Sequence, residues 1–181
     1  MLTGLFMLAA QYTAETNTEN IPWFALRVRS NFEQHSCNAL AIRGLEAFHP
    51  SFKARRRWSD RVKMIDQPLF PGYVFCRFGP AERVNVLRAP GVVHVVSSGN
   101  DPLPVDESEI NHIRTVVMAE LAANPHPFLK VGQRVRIDRG PLTGAEGIFN
   151  ALNGKSSLIL SISLLQRSIA VEVEADWVRW L

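Results

Sequence analysis

The chain has 181 residues, 46% hydrophobic and 20% charged, with 20 Lys or Arg against 17 Asp or Glu. That length allows one domain or two small ones, and the composition excludes a disordered or fibrous chain. A net charge of +3 permits nucleic-acid contact but falls short of the strongly basic balance usual in a ribosomal protein of this size.

Residues 1–20 hold Glu15 and Glu19 and no base. The apolar run Leu5 to Ala10 lacks the basic flank of a secretory signal, because the first Lys or Arg is Arg27. The run is also too short to span a bilayer, so no membrane role is expected. Residues 1–21 read as a flexible tail. Cys37 and Cys76 form no Cys-x-x-Cys pair and read as small apolar side chains in a reducing cytoplasm.

Trp23 to Arg29 reads as a first strand opened by Pro22. Ser30-Asn31-Phe32-Glu33 has the spacing of a capping box, in which the Ser and Glu side chains satisfy each other's free amides. A helix is expected to follow to Leu45, with Cys37, Leu40, Ala41 and Gly44 on one face. Phe48 to Trp58 reads as extended. Pro68-Leu69-Phe70-Pro71-Gly72-Tyr73-Val74-Phe75 is a rigid turn leading into a strand with Tyr73 and Phe75 on one face. It offers aromatic surface and no acid, base or nucleophile, which points to binding.

A short helix from Pro80 precedes Pro90-Gly91. Val92 to Val96 reads as a buried strand, with His94 as a satisfied core residue. Asp106-Glu107-Ser108-Glu109 is a second capping box, with Val105 placed to staple onto Ile110. Its helix is expected to run to about Leu121, with Ile110, Ile113, Val117 and Leu121 inward. Strands mixed with helices predict an α+β first domain over 22–121. Pro125 and Pro127 mark 122–129 as a linker.

The character then changes. Leu158, Leu160, Ile162 and Leu164 form one alternating run, and Ile169, Val171 and Val173 another. Gly140-Pro141 and Asn153-Gly154 supply turns, the second a strong hairpin signal. Residues 130–181 therefore read as a small all-β barrel with a thin core.

The Phe-Pro-Gly-Tyr turn, followed by Lys130-Val131-Gly132-Gln133-Arg134-Val135-Arg136-Ile137 and Arg139 to Ile148, resembles the NusG family of bacterial transcription factors. The second stretch looks like that family's KOW motif, with Glu146-Gly147 at its turning point. The resemblance covers roughly 22–181. It implies an N-terminal antiparallel sheet with flanking helices, an SH3-like β-barrel after it, and a role in transcription elongation, pausing, termination or antitermination. It also implies that Phe24, Phe70, Pro71, Tyr73 and Phe75 supply an apolar pocket for the clamp helices of RNA polymerase. Aromatic anchors of this kind carry on the order of 2 kcal/mol each when central.

Lys53, Arg55, Arg56, Arg57, Arg61 and Lys63 surround Trp58, with Asp60 the one acid among them. Arg neutralises phosphate and Trp offers a stacking surface, a pattern suited to single-stranded nucleic acid. By resemblance this region lies near upstream and non-template DNA. In the barrel, Ile148, Phe149, Leu164, Leu165 and Arg167 correspond to a partner surface, with the Rho termination factor or a small-subunit ribosomal protein as candidates. The family usually has an aromatic and a Gly where this chain has Leu165 and Gln166, which puts those partners in question. With the dense Arg run and the Pro-Leu-Phe entry to the turn, this departure leans towards a specialised, RfaH-like antiterminator. Some such paralogues refold the barrel into a helical hairpin; the β-branched alternation at 169–173 favours the barrel here.

The histidines His35, His49, His94, His112 and His126 show no metal-ligand spacing, and no phosphate loop or nucleophile elbow occurs. No cofactor and no enzymatic activity are expected. The competing reading is an RNA-binding or ribosome-associated KOW protein.

Overall fold

The computed structural model describes residues 21–57, 62–121, 123–127, 132–152 and 155–181. In chain order the elements are β1 (Trp23–Val28), α1 (Glu33–Ile42), β2 (Glu46–Phe48), β3 (Ser51–Arg57), β4 (Val62–Pro68), β5 (Tyr73–Arg77), α2 (Arg83–Leu87) and β6 (Val92–Val95). Then follow β7 (Ser97–Ser98), β8 (Asp101–Pro102), β9 (Pro104–Val105), α3 (Glu107–Met118), β10 (Ala123–Pro127), β11 (Gln133–Ile137), β12 (Glu146–Leu152), β13 (Lys155–Ile162), β14 (Arg167–Glu172) and β15 (Val178–Trp180).

The first sheet runs β2-β5-β1-β6, with β9 pairing the start of β1, all antiparallel. Side chains of a strand alternate between faces, and both faces of this sheet are covered. Trp23, Ala25 and Phe75 pack on the side of α3, against Ile110, Ile113 and Val116. Leu26, Val28, Val74 and Cys76 pack on the other side with Leu40 of α1 and Val86 of α2. The basic segment forms its own hairpin, β3 with β4, in which Arg56 lies opposite Lys63.

The second sheet is a six-stranded antiparallel set in the order β10-β14-β13-β12-β11-β15. Leu158, Leu160, Ile162, Ile169 and Val171 are fully buried, as the alternation predicted, whereas Leu164 of the same run is half-buried; Val135 and Ile137 are buried with them. Leu152 pairs with Lys155 across the expected Asn153-Gly154 turn, which lies outside the described residues. The α+β sheet-and-helix domain followed by a β domain is the fold class read from sequence.

Several local expectations are corrected. Phe32, with no side-chain hydrogen bond, occupies the N-cap of α1, so the Ser30–Glu33 box does not form. Glu33 is buried and hydrogen-bonded elsewhere. Ala41 and Gly44 are exposed, and the inward face is Glu33, Ser36 and Leu40. In α3 the third inward residue is Val116, with Val117 half-buried. His94 is exposed, because β6 is an edge strand paired only with β1. Ala123–Pro127, read as linker, instead pairs with β14. An edge strand tolerates prolines because its outer amides need no partner, so the two prolines do not exclude it.

Candidate functional site

The Phe70-Pro71-Gly72-Tyr73 turn is built by contacts from two other elements. Gly72 has φ +81°, a left-handed backbone that favours glycine. A Cβ there would lie 2.2 Å from a guanidinium nitrogen of Arg27. The Gly72 carbonyl accepts from the Val28 amide at 3.0 Å and from Arg27 at 3.4 Å. Its amide donates to Glu33 Oε1 at 2.7 Å, and that carboxylate is 5% exposed. Both backbone polar groups of Gly72 are thus hydrogen-bonded within the protein, as a buried turn requires.

The turn does not display all its rings. Phe70 is 1% exposed and meets Phe75, itself 0% exposed, edge-to-face at 5.8 Å. Pro71 is exposed and Tyr73 half-buried. The Tyr73 ring has Arg27 at 5.0 Å and Arg167 at 5.2 Å from its centre. Phe24 does not join this group. It packs on Phe78 at 4.7 Å, on the opposite face of the sheet, because it alternates with Trp23. Trp23 is the buried member of that pair, with Arg77 at 5.0 Å and Arg114 at 4.7 Å from its ring.

Lys53 and Lys63 are exposed on the β3–β4 hairpin, and Arg55, Arg56 and Arg57 lie along β3. Trp58 and Arg61 lie outside the described residues. In the second sheet, Phe149 stacks edge-on with Trp180 at 4.9 Å, and Ile148 lines a cleft beside α3. Leu164, Leu165 and Tyr73 all pack against the cluster that holds Phe70 and Phe75. Arg167 of the second set of residues thus meets Tyr73 of the first.

Side chains that sequence reasoning did not assign to the site complete this contact. Glu109 accepts from the Ser163 amide through both carboxylate oxygens at 3.2 Å. At the sequence level Glu109 was legible only as a capping residue. Asp106 does cap α3, accepting from the Ser108 hydroxyl and from the Ser108 amide, each at 2.7 Å, and these hydrogen bonds, the hydroxyl's foremost, lower its pKa. Burial lowers the pKa of His112, while Glu146, Asp106 and Glu109 pull it upward. Gly147 has no room for a side chain, since a Cβ would lie 2.5 Å from the Ile159 carbonyl oxygen. Among the described residues no group of His, Cys, Asp or Glu could hold a metal ion, and no helix is long and apolar enough to cross a membrane.

An antiparallel sheet carrying a tied aromatic turn, followed by a β domain with a KOW-like glycine, defines a class of transcription factor. The family model described as "Transcription termination factor nusG" matches residues 21–114, and the chain belongs to the NusG family. The transcription termination/antitermination protein NusG of Lactococcus lactis is 28% identical over 166 residues, covering 84% of this chain and 89% of that protein. Its namesake in Borreliella burgdorferi is 23% identical over 174 residues, covering 84% and 94%. The solved structure described as "Domain interaction in Thermotoga maritima NusG" has a TM-score of 0.50 and 21% identity, covering 87% of this chain and 96% of that one. That likeness shows the fold.

Proposed function

We propose that this protein is a transcription elongation factor that binds RNA polymerase through the Phe70–Phe75 turn and strand. The tied turn carries this reading: the Gly72 peptide is held by Glu33, Arg27 and Val28 in a φ that favours glycine. Such rigidity lowers the ordering cost of binding. Tyr73 and Pro71 are the anchors with exposed surface, and Phe70 and Phe75 form the floor beneath them. The clamp helices are the polymerase element this surface is suited to.

The β3–β4 hairpin is the nucleic-acid arm of the same proposal. Its cations contact upstream or non-template DNA weakly and without sequence preference, through phosphate neutralisation. The second domain recruits a further protein through Ile148, Phe149, Leu164, Leu165 and Arg167, with Rho or a small-subunit ribosomal protein as candidates. Regulation of pausing, termination or antitermination follows from holding that partner beside the polymerase.

The test is capture of core RNA polymerase by the full chain and by its Tyr73→Ala variant. Binding that falls at least about tenfold on losing the ring supports the reading. Equal capture by both chains would remove Tyr73 from the interface, and absence of capture by the native chain would redirect the proposal to RNA or ribosomes.

A further inference from the structure

The β3–β4 hairpin is a sheet of its own and bounds a groove with the C-terminal half of α3. Paired residues of a hairpin share a face, and the face of Ser51, Lys53, Met64 and Asp66 is the one turned to α3. The groove has a volume of about 460 Å³. That falls within the roughly 300–1,000 Å³ of pockets that hold a small apolar ligand. Leu69 and Val116 are its buried floor, and Phe52, Val117 and Leu121 are half-buried walls. Met64 lines it while 55% exposed, and Met118, next to Val117, is 82% exposed. Lys53, Asp66 and Glu120 are its charged lining residues. An apolar floor and walls with a polar rim mark a surface that something covers.

We propose that the occupant is this chain's own N-terminal segment, with Leu5-Phe6-Met7-Leu8 lodged in the groove. Residues 1–20 lie outside the described residues. Three observations favour this segment over a foreign partner. The first is the tether. Trp23 opens β1 with Arg114 of α3 at 4.7 Å from its ring. A helix rises about 1.5 Å per residue, so Val117 lies only about 5 Å further along α3. The twelve residues 11–22, fully extended, reach about 40 Å, far more than the gap requires. The second is chemistry: Leu5 to Leu8 offers four apolar side chains in a row, without a charge, to an apolar floor. The third is charge. Residues 11–22 hold Glu15 and Glu19 and no cation. The hairpin stretch holds Lys53, Arg55, Arg56, Arg57, Arg61 and Lys63 against Asp60 and Asp66. Opposite net charges draw the segment towards that side of the domain.

A tethered occupant needs little intrinsic affinity, because a short flexible connection keeps it at roughly millimolar effective concentration. The docked run braces the hairpin against α3. It also holds Glu15 and Glu19 beside the hairpin's cations, as an internal counter-charge.

The experiment uses the full chain with methyl-labelled methionine. The chain has four methionines, of which Met7 lies in the run and Met64 in the groove. A nuclear Overhauser contact between the Met7 and Met64 methyls is expected. The double substitution Phe6→Asp and Leu8→Asp leaves residues 21–181 unaltered. It should abolish that contact and shift the Met64 methyl signal. A contact that keeps its relative intensity on dilution establishes that segment and groove belong to one molecule. A contact that fades on dilution assigns the groove to the tail of a second copy and overturns the proposal. A Met64 signal identical in both chains, with no contact to Met7, leaves the groove to another occupant and overturns it as well.

Discussion

Glu33 and Gly72, separated by 39 positions in the sequence, are joined by a 2.7 Å hydrogen bond from a backbone amide to a buried carboxylate. The bond ties the first turn of α1 to the aromatic turn before β5. It explains how a loop with one glycine at positive φ stays fixed enough to serve as a binding surface. Losing the acceptor strands a buried amide, at a cost of about 1–3 kcal/mol. Glu33→Ala should therefore lower unfolding stability by about that amount in urea titration, and Glu33→Gln, which keeps an acceptor oxygen, should lose less.

The two motif glycines, Gly72 in its turn and Gly147 in β12, should differ in how they fail. Gly72→Ala meets an unfavourable φ and the end of a flexible Arg27 side chain, which can move. Its cost should be about 1–2 kcal/mol. Gly147→Ala drives a methyl against the Ile159 carbonyl, backbone that cannot yield without breaking β12–β13 pairing. Thermal denaturation should rank Gly147→Ala as the more damaging of the two.

Acid should destabilise the first domain partly through His49. Burial lowers its pKa below the ordinary 6.5, although Glu33 and Asp66 pull it up. The unfolded chain then takes the proton first, so stability is full above the ordinary imidazole pKa and is lost as pH falls below it. Urea midpoints measured from about pH 7.5 down to about pH 5.5 should fall less steeply for His49→Gln than for the native chain. Equal slopes would assign the acid sensitivity to other groups.

Replacing Arg55, Arg56 and Arg57 together by Ala should reduce photo-crosslinking to upstream DNA in an elongation complex. Polymerase capture should change by less than about threefold, since the hairpin is a sheet separate from the one that carries Tyr73. Collapse of polymerase capture would place the arginines in the protein interface instead.

A fragment of residues 130–181 lacks β10 and leaves the β14 edge open. Compared with a fragment starting at residue 122, it should be β-structured by circular dichroism but less stable, and more prone to associate through that edge. Equal stability would show that β10 adds nothing to the second sheet.

The sequence determined much of this protein. Alternation of Trp23, Ala25 and Tyr73 to Phe78 set which strand residues share a face. The alternating runs at 158–162 and 169–173 identified a β domain, turn chemistry marked Gly72, and the motif marked Gly147 as a position without room for a side chain. These signals are local: strand period and glycine preference act over a few residues and survive without knowledge of partners. Tertiary structure decided what depends on distant groups. Glu33 and Glu109 carry the spacing of capping residues, yet each reaches a backbone amide elsewhere, Gly72 and Ser163, that only the tertiary fold brings near. Ala123–Pro127 reads as linker from its prolines and becomes an edge strand because β14 offers an open ladder. Above all, the meeting of Tyr73 with Arg167 is written in no motif. It arises only when two separately amphipathic domains find that their apolar surfaces fit each other.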